Sequence, residues 1–204
     1  MSAFRLGVLV SGEGTNLQAI LDRVHGRDGI EVDAVGSDKP GARALERAQA
    51  AGVPARAFEQ PDRDERDAAM AEWLEESGVD LVVLAGYMQL LGGPFLARFP
   101  QRVVNVHPAL LPAFPGIGAV ERAYAHGVKV FGVTVHFVDE GIDTGPIIAQ
   151  RALELPGASG AAEVREALRP LEHDLLCEAV VAIARGEIVV EGGRCKVRAD
   201  DAAG

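Results

Sequence analysis

A chain of 204 residues, 48% hydrophobic and 25% charged, has the make-up of an ordinary globular protein; its length favours one domain, since domains run to about 100–200 residues. No run approaches the ~18 apolar residues of a membrane span, and Met1 to Val10 lacks the basic segment of a signal peptide, so a cytoplasmic protein without a membrane partner is expected. The formal charge of −10 argues against nucleic acid or an anionic surface as partner, while a local site can still oppose the global field for a small anion.

Phe4 to Val10 is a short apolar run, read as a buried strand. It ends at Ser11-Gly12-Glu13-Gly14-Thr15-Asn16, after which Leu17, Ile20, Leu21 and Val24 fall on one helical face. Ile30 to Val35 reads as the next strand, and a helix from about Ala42 to Ala51 stops at Gly52. Val53 to Phe58 is a third strand, followed by a charged helix that turns Met70, Trp73 and Leu74 inward. The charges from Asp62 to Glu76 read as a solvated helix face. Val79 to Ala85 and Val103 to Val106 are further strands, separated by a short helix around Phe95. Such alternation predicts an α/β fold: a doubly wound, mostly parallel, Rossmann-like sheet with helices on both faces.

The second half departs from simple alternation. Leu110 to Gly118 reads as a loop, and Phe131 to Val138 as a strand with Thr134 and His136 opposite its apolar face. Residues 141–146 interrupt the chain before a strand at Ile147 to Arg151. A helix from Ala161 to Ala184 is expected to bend at Pro170, and Glu187 to Val197 to form a hairpin at Gly192-Gly193. One domain over 1–204 is expected, with a phosphate-binding half at 1–100, a catalytic half at 101–197 and a frayed tail at 198–204. Cys177 and Cys195 lie far apart, with no Cys/His cluster near them. They point to neither a disulfide framework nor a zinc site, and they fit a reducing compartment.

Three places could carry chemistry. The turn Gly12 to Asn16, between strand and helix, offers free amides and the positive end of a helix dipole to an anion. It lacks the Lys-Ser/Thr of a P-loop, and Leu17 replaces the third glycine of a dinucleotide fingerprint, so a single phosphate fits better; a plain tight turn fits the same residues. Asn105 and His107, two apart at the end of a central strand, project to one face. There they could stabilise an oxyanion and move a proton, or merely satisfy loop backbone. Asp143 lies in a glycine-bounded loop. Near His107 it would favour the imidazolium; otherwise it organises the turn. His25 and His126 read as solvated helix-end residues, and His136 as a satisfied core group or a support for the site.

Ser11-Gly-Glu-Gly-Thr-Asn16-Leu-Gln, Leu84-Ala-Gly-Tyr-Met88, Asn105-Val-His-Pro-Ala-Leu-Leu-Pro112 and Thr134-Val-His-Phe-Val138 with Asp143-Thr-Gly-Pro146 together resemble the phosphoribosylglycinamide formyltransferase family. The resemblance spans nearly the whole chain in order. It implies transfer of a formyl group from 10-formyltetrahydrofolate, as co-substrate, to the amine of 5′-phosphoribosylglycinamide in purine synthesis. It implies small-molecule partners, no metal, and a monomer or homodimer. By position, Gly14, Thr15 and Asn16 match the ribonucleotide phosphate loop, and Glu172 a glutamate beside the substrate amine. Met88, Gln89, Leu90 and Leu91 match the lining of the folate pocket, and Arg66 a folate-contacting arginine. Asn105, which also borders the folate, His107 and Asp143 match the catalytic three. Gln89 stands where an arginine is common, and Gly118 where a histidine often follows Pro-Gly.

The implied mechanism is direct attack of the amine on the formyl carbon. Asn105 and a protonated His107 stabilise the oxyanion, while Asp143 holds His107 charged and positions a relaying water. Three alternatives share part of the pattern. A formyltetrahydrofolate hydrolase uses the same three residues with water as acceptor, but such enzymes carry an extra N-terminal regulatory domain, whereas the first strand here starts near Phe4. A methionyl-tRNA formyltransferase needs a further tRNA-binding domain and a less acidic chain. A nucleotide-binding module would explain the glycine turn but not Asn105, His107 and Asp143 together.

Overall fold

The structure, a computed structural model, describes residues 3–198. Of the expected tail only Arg198 falls among them, its amide donating to the Glu187 carbonyl at 2.6 Å; 199–204 lie outside the described residues.

β1 (Phe4–Val10), β2 (Ile30–Ser37), β3 (Ala55–Ala57), β4 (Leu81–Leu84), β5 (Val103–His107), β6 (Val130–Phe137) and β7 (Ile147–Glu154) form one seven-stranded sheet, in the order β3-β2-β1-β4-β5-β6-β7. The first five run parallel, β6 is antiparallel to β5, and β7 is antiparallel to β6. The chain starts mid-sheet, winds outward to β3 and returns to lay β4 on the other side of β1. That reversal opens a crevice between the loops that follow β1 and β4, where open α/β sheets bind ligands.

The helices are α1 (Thr15–Arg23), α2 (Arg43–Ala50), α3 (Arg63–Glu76), α4 (Gly93–Arg98), α5 (Ala119–His126) and α6 (Ala161–Ala184). Alternation along each strand feeds two apolar layers. Leu6, Val8 and Val83 pack with Leu17 and Ile20 of α1, Leu45 of α2, Val120 of α5 and Leu168 of α6. Leu9, Val82 and Leu84 face the other way, onto Met70 and Leu74 of α3 and Phe95 of α4. A hairpin, β8 (Ile188–Glu191) and β9 (Arg194–Val197), turns at Gly192 and Gly193, both with positive φ.

Some expectations change and others hold. β3 keeps only three residues on the sheet edge, because Val53 and Phe58 are buried but lie outside its ladder. The 62–76 helix is not wholly a solvated charged face: Arg66 and Asp67 are buried in it. β6 is buried on both faces, so Thr134 and His136 are interior, in keeping with the reading of His136 as a core group or a support for the site. The helix expected over Ala161 to Ala184 is present as α6, with Pro170 inside it.

Candidate active site

The carboxyl ends of β1, β4 and β5 deliver three loops to one edge of the sheet. After β1, Gly14 takes a left-handed conformation (φ 70°) at the N-cap of α1, and no side chain caps that helix. The first-turn amides of α1 therefore lack a protein acceptor on the side chains, as an anion site requires. A Cβ on Gly14 would stand 2.6 Å from Ala44 Cβ and 2.9 Å from its Cα. α2 packing and the positive φ thus both demand glycine here, in addition to the close ligand approach expected of it. A Cβ on Gly12 meets nothing within 4 Å, so a side chain there enters open space beside the turn. Thr15 opens α1, and the buried Asn16 donates from Nδ2 to Glu172 Oε2 at 3.3 Å, tying the turn to α6. Burial pushes the Glu172 carboxyl above its ordinary value, against the pull of the Asn16 hydrogen bond and the Arg169 charge.

The loop after β4 is pinned at both ends. Ser11 Oγ accepts the Met88 amide at 2.8 Å, and the Ser11 amide donates to the Gly86 carbonyl at 3.2 Å. At the far end Asp67 Oδ2 accepts the Gly92 amide at 2.8 Å. Between these anchors Met88, Gln89 and Leu90 are exposed and Leu91 is half-buried. Gln89 is tethered to Asp38 (3.0 Å). Arg66 is 8% exposed and faces Asp67 at 3.5 Å, its Nε buried without a partner. Arg66 thus lies beside Asp67 beneath the loop, with its Nε–H left for an acceptor from outside the protein.

β5 delivers Asn105 and His107, and the β6–β7 connection folds back to meet them with Asp143. His107 Nδ1 lies 3.2 Å from Asp143 Oδ2, and Asn105 Nδ2 lies 3.4 Å from Asp143 Oδ1. The antiparallel register sets His136 opposite Asn105. His136 Nε2 then reaches Asn105 Nδ2 (3.3 Å) and Asp143 Oδ1 (3.4 Å), while its Nδ1 donates to the Phe137 carbonyl (2.8 Å). Gly116 N–H completes the set on Asp143 Oδ2 at 2.6 Å. Burial would raise the Asp143 carboxyl, but the His136 and Gly116 hydrogen bonds and the two imidazoles outweigh it and hold it at about 2.

His107 Nε2 faces the Phe114 carbonyl at 2.9 Å; a carbonyl only accepts, so this nitrogen carries a proton. Burial pulls His107 below the ordinary histidine range, and the Phe114 carbonyl and Asp143 oppose that pull. Asp143 acts in the expected direction, yet burial wins, so His107 is not simply locked in its charged form. An imidazolium would satisfy acceptors at both nitrogens; a neutral ring satisfies one.

The loop ahead of α5 is held from β6 and β7. Thr134 Oγ1 donates to the Ala109 carbonyl (2.7 Å) and accepts the Leu111 amide (3.1 Å), and Gln150 Nε2 bonds both Thr134 Oγ1 and the Leu111 carbonyl at 2.9 Å. Sequence reasoning missed Gln150 and the backbone groups of Phe114 and Gly116. Backbone donors and acceptors leave no residue-type signature. His136 supports the site, one of the two roles weighed for it. No group of three His, Cys, Asp or Glu positioned to hold a metal ion occurs among the described residues. No helix among them is long and apolar enough to cross a membrane.

A Rossmann-like sheet carrying this Asn-His-Asp cluster defines a class: residues 4–180 match the formyl transferase family, and the chain belongs to it. Among its relatives is the phosphoribosylglycinamide formyltransferase of Bacillus subtilis (strain 168), 42% identical over 173 residues, or 83% of this chain and 89% of that one. The crystal structure of glycinamide ribonucleotide transformylase 1 from Symbiobacterium toebii superposes with a TM-score of 0.93 at 48% identity, covering 97% of this chain and 95% of that one. A formyltetrahydrofolate deformylase from Pseudomonas syringae shares the fold (TM-score 0.89) at 25% identity, covering 97% of this chain but 67% of its own.

Proposed function

We propose that the chain is a phosphoribosylglycinamide formyltransferase of purine synthesis, moving a formyl group from 10-formyltetrahydrofolate to the amine of 5′-phosphoribosylglycinamide. One observation carries the reading: an uncapped helix N-terminus, the tethered 86–92 loop and the Asn105–His107–Asp143 cluster open onto one edge of a single sheet. The ribonucleotide phosphate sits on the amides of Gly14, Thr15 and Asn16, with Glu172 beside the amine. The folate lies along Met88, Gln89, Leu90 and Leu91 and reaches Asn105. Arg66 supports that loop from below.

The amine attacks the formyl carbon, and negative charge grows on the formyl oxygen. Asn105 and the positive charge of a protonated His107 stabilise that oxygen, and Asp143 makes the protonated imidazole more favourable as the charge develops. The attacking nitrogen must lose a proton and the folate N10 must gain one, with no covalent enzyme intermediate. Orientation of two bound substrates supplies much of the rate.

The hydrolase reading is favoured less, because identity to the deformylase is 25% against 42% and 48% for the transferases. Incubation with 10-formyltetrahydrofolate should release tetrahydrofolate rapidly only when phosphoribosylglycinamide is present. Release at the same rate without it would establish the hydrolase. A second expected result concerns the turn: Gly12→Val leaves the fold intact, since its Cβ meets open space, but weakens ribonucleotide binding and spares folate binding. Calorimetric titration with each ligand checks this, and equal loss for both would remove the phosphate assignment.

A further inference from the structure

Arg122 lies outside the groups used above. It stands on the exposed side of α5, one turn past the catalytic loop. Its Nη2 is within hydrogen-bond reach of three successive carbonyls, those of Phe114 (3.2 Å), Pro115 and Gly116 (3.3 Å). Backbone geometry explains why this segment needs holding. Phe114 is left-handed at φ 53° and Gly116 at φ 78°, and a non-glycine residue keeps that conformation only where its surroundings fix it.

The same three residues also face the active site. The Phe114 carbonyl that Arg122 binds is the acceptor for His107 Nε2, and the amide of Gly116 is a donor to Asp143. We propose that Arg122 is a positioning residue for formyl transfer: its guanidinium gathers the 114–116 carbonyls and so sets His107 and Asp143 through main-chain contacts. The inference rests on the formyl-transfer reading. Among the described residues no other side chain spans all three carbonyls; His107 reaches that of Phe114 alone. A planar donor suits the task, because one nitrogen must serve adjacent oxygens from a fixed direction. A lysine ammonium would reach them with less directional control.

The test compares the full-length parent with Arg122→Ala and Arg122→Lys. Arg122→Ala should lower kcat on the order of tenfold or more, as small misplacements of reacting groups do, while the KM for the ribonucleotide stays close to the parent value. Millimolar guanidinium should recover turnover in Arg122→Ala beyond matched sodium chloride, and Arg122→Lys should fall between the two. Hydrogen exchange at the Gly116 amide gives a readout that needs no substrate. It should quicken on the order of tenfold in Arg122→Ala as the loop opens locally, and slow again with guanidinium. If Arg122→Ala does not fold, Arg122→Gln carries the same comparison. Parental kcat with parental Gly116 exchange overturns the proposal, as does a loss that guanidinium leaves untouched. Faster exchange in a protein whose parent transfers no formyl group would sink the functional reading and leave the clamp standing.

Discussion

Asp143→Asn should bind both substrates with near-parental affinity and turn over on the order of a hundredfold more slowly, or worse. The substitution keeps the shape and an oxygen for the Gly116 amide, but it removes the negative charge 3.2 Å from His107 Nδ1. That charge is one of two influences holding His107 up against burial. Its loss therefore lowers the imidazole pKa and withdraws the cation when the oxyanion forms. An NMR titration of His107 should show the drop directly. Unchanged turnover with an unchanged titration would reduce Asp143 to a turn residue. The same variant has a signature in acid. The Asp143 carboxyl is depressed from 3.8 to about 2, so its contribution to stability is in place above 3.8 and disappears as the pH falls through about 2. The parent should lose stability across that window more steeply than Asp143→Asn, as followed by circular dichroism.

Asp67→Ala is expected to cost about 3–5 kcal/mol of stability, the usual penalty for stranding a buried charge. Asp67 is 3% exposed and Arg66 8%, so removing the carboxylate leaves a guanidinium in the interior with an already unpartnered Nε. It also frees the Gly92 amide, so folate affinity should fall while ribonucleotide affinity holds. Urea unfolding measures the first effect and titration the second. Replacing both partners together, Arg66→Met with Asp67→Leu, should recover most of the stability but not the folate affinity, because no acceptor returns for Gly92. A cost below about 1 kcal/mol for Asp67→Ala would mean that water reaches Arg66 after all.

The contrast between what could and could not be read in advance follows from which atoms do the work. β1, β4 and β5 were legible because parallel strands buried on both faces leave unbroken apolar runs, and Asn105 and His107 because a two-residue step on such a strand gives one face. Asp143 was legible only as a candidate. Its approach to His107 depends on the antiparallel return of β6 and on a loop that doubles back, neither of which has a local period. Gly14 was singled out for ligand approach alone, since no sequence pattern shows that α2 presses Ala44 against it. Arg66 and Asp67 looked like solvated charges because amphipathic reading counts charges and cannot see a pair that closes beneath a loop. Phe114 and Gly116 escaped altogether, as they act through groups every residue possesses.

Ser11 sets a spacing. One buried side chain receives the Met88 amide while its own amide binds Gly86, and the same residue begins the 11–16 turn. On the proposed function, the turn for the acceptor and the loop for the donor are therefore both gauged against one residue, like the two jaws of a caliper riding on one beam. Insertions in either loop would have to leave that beam untouched to keep amine and formyl carbon within bonding distance. Variation in chain length among related sequences should accordingly collect in the stretch between β7 and α6, residues 155–160, which carries neither jaw.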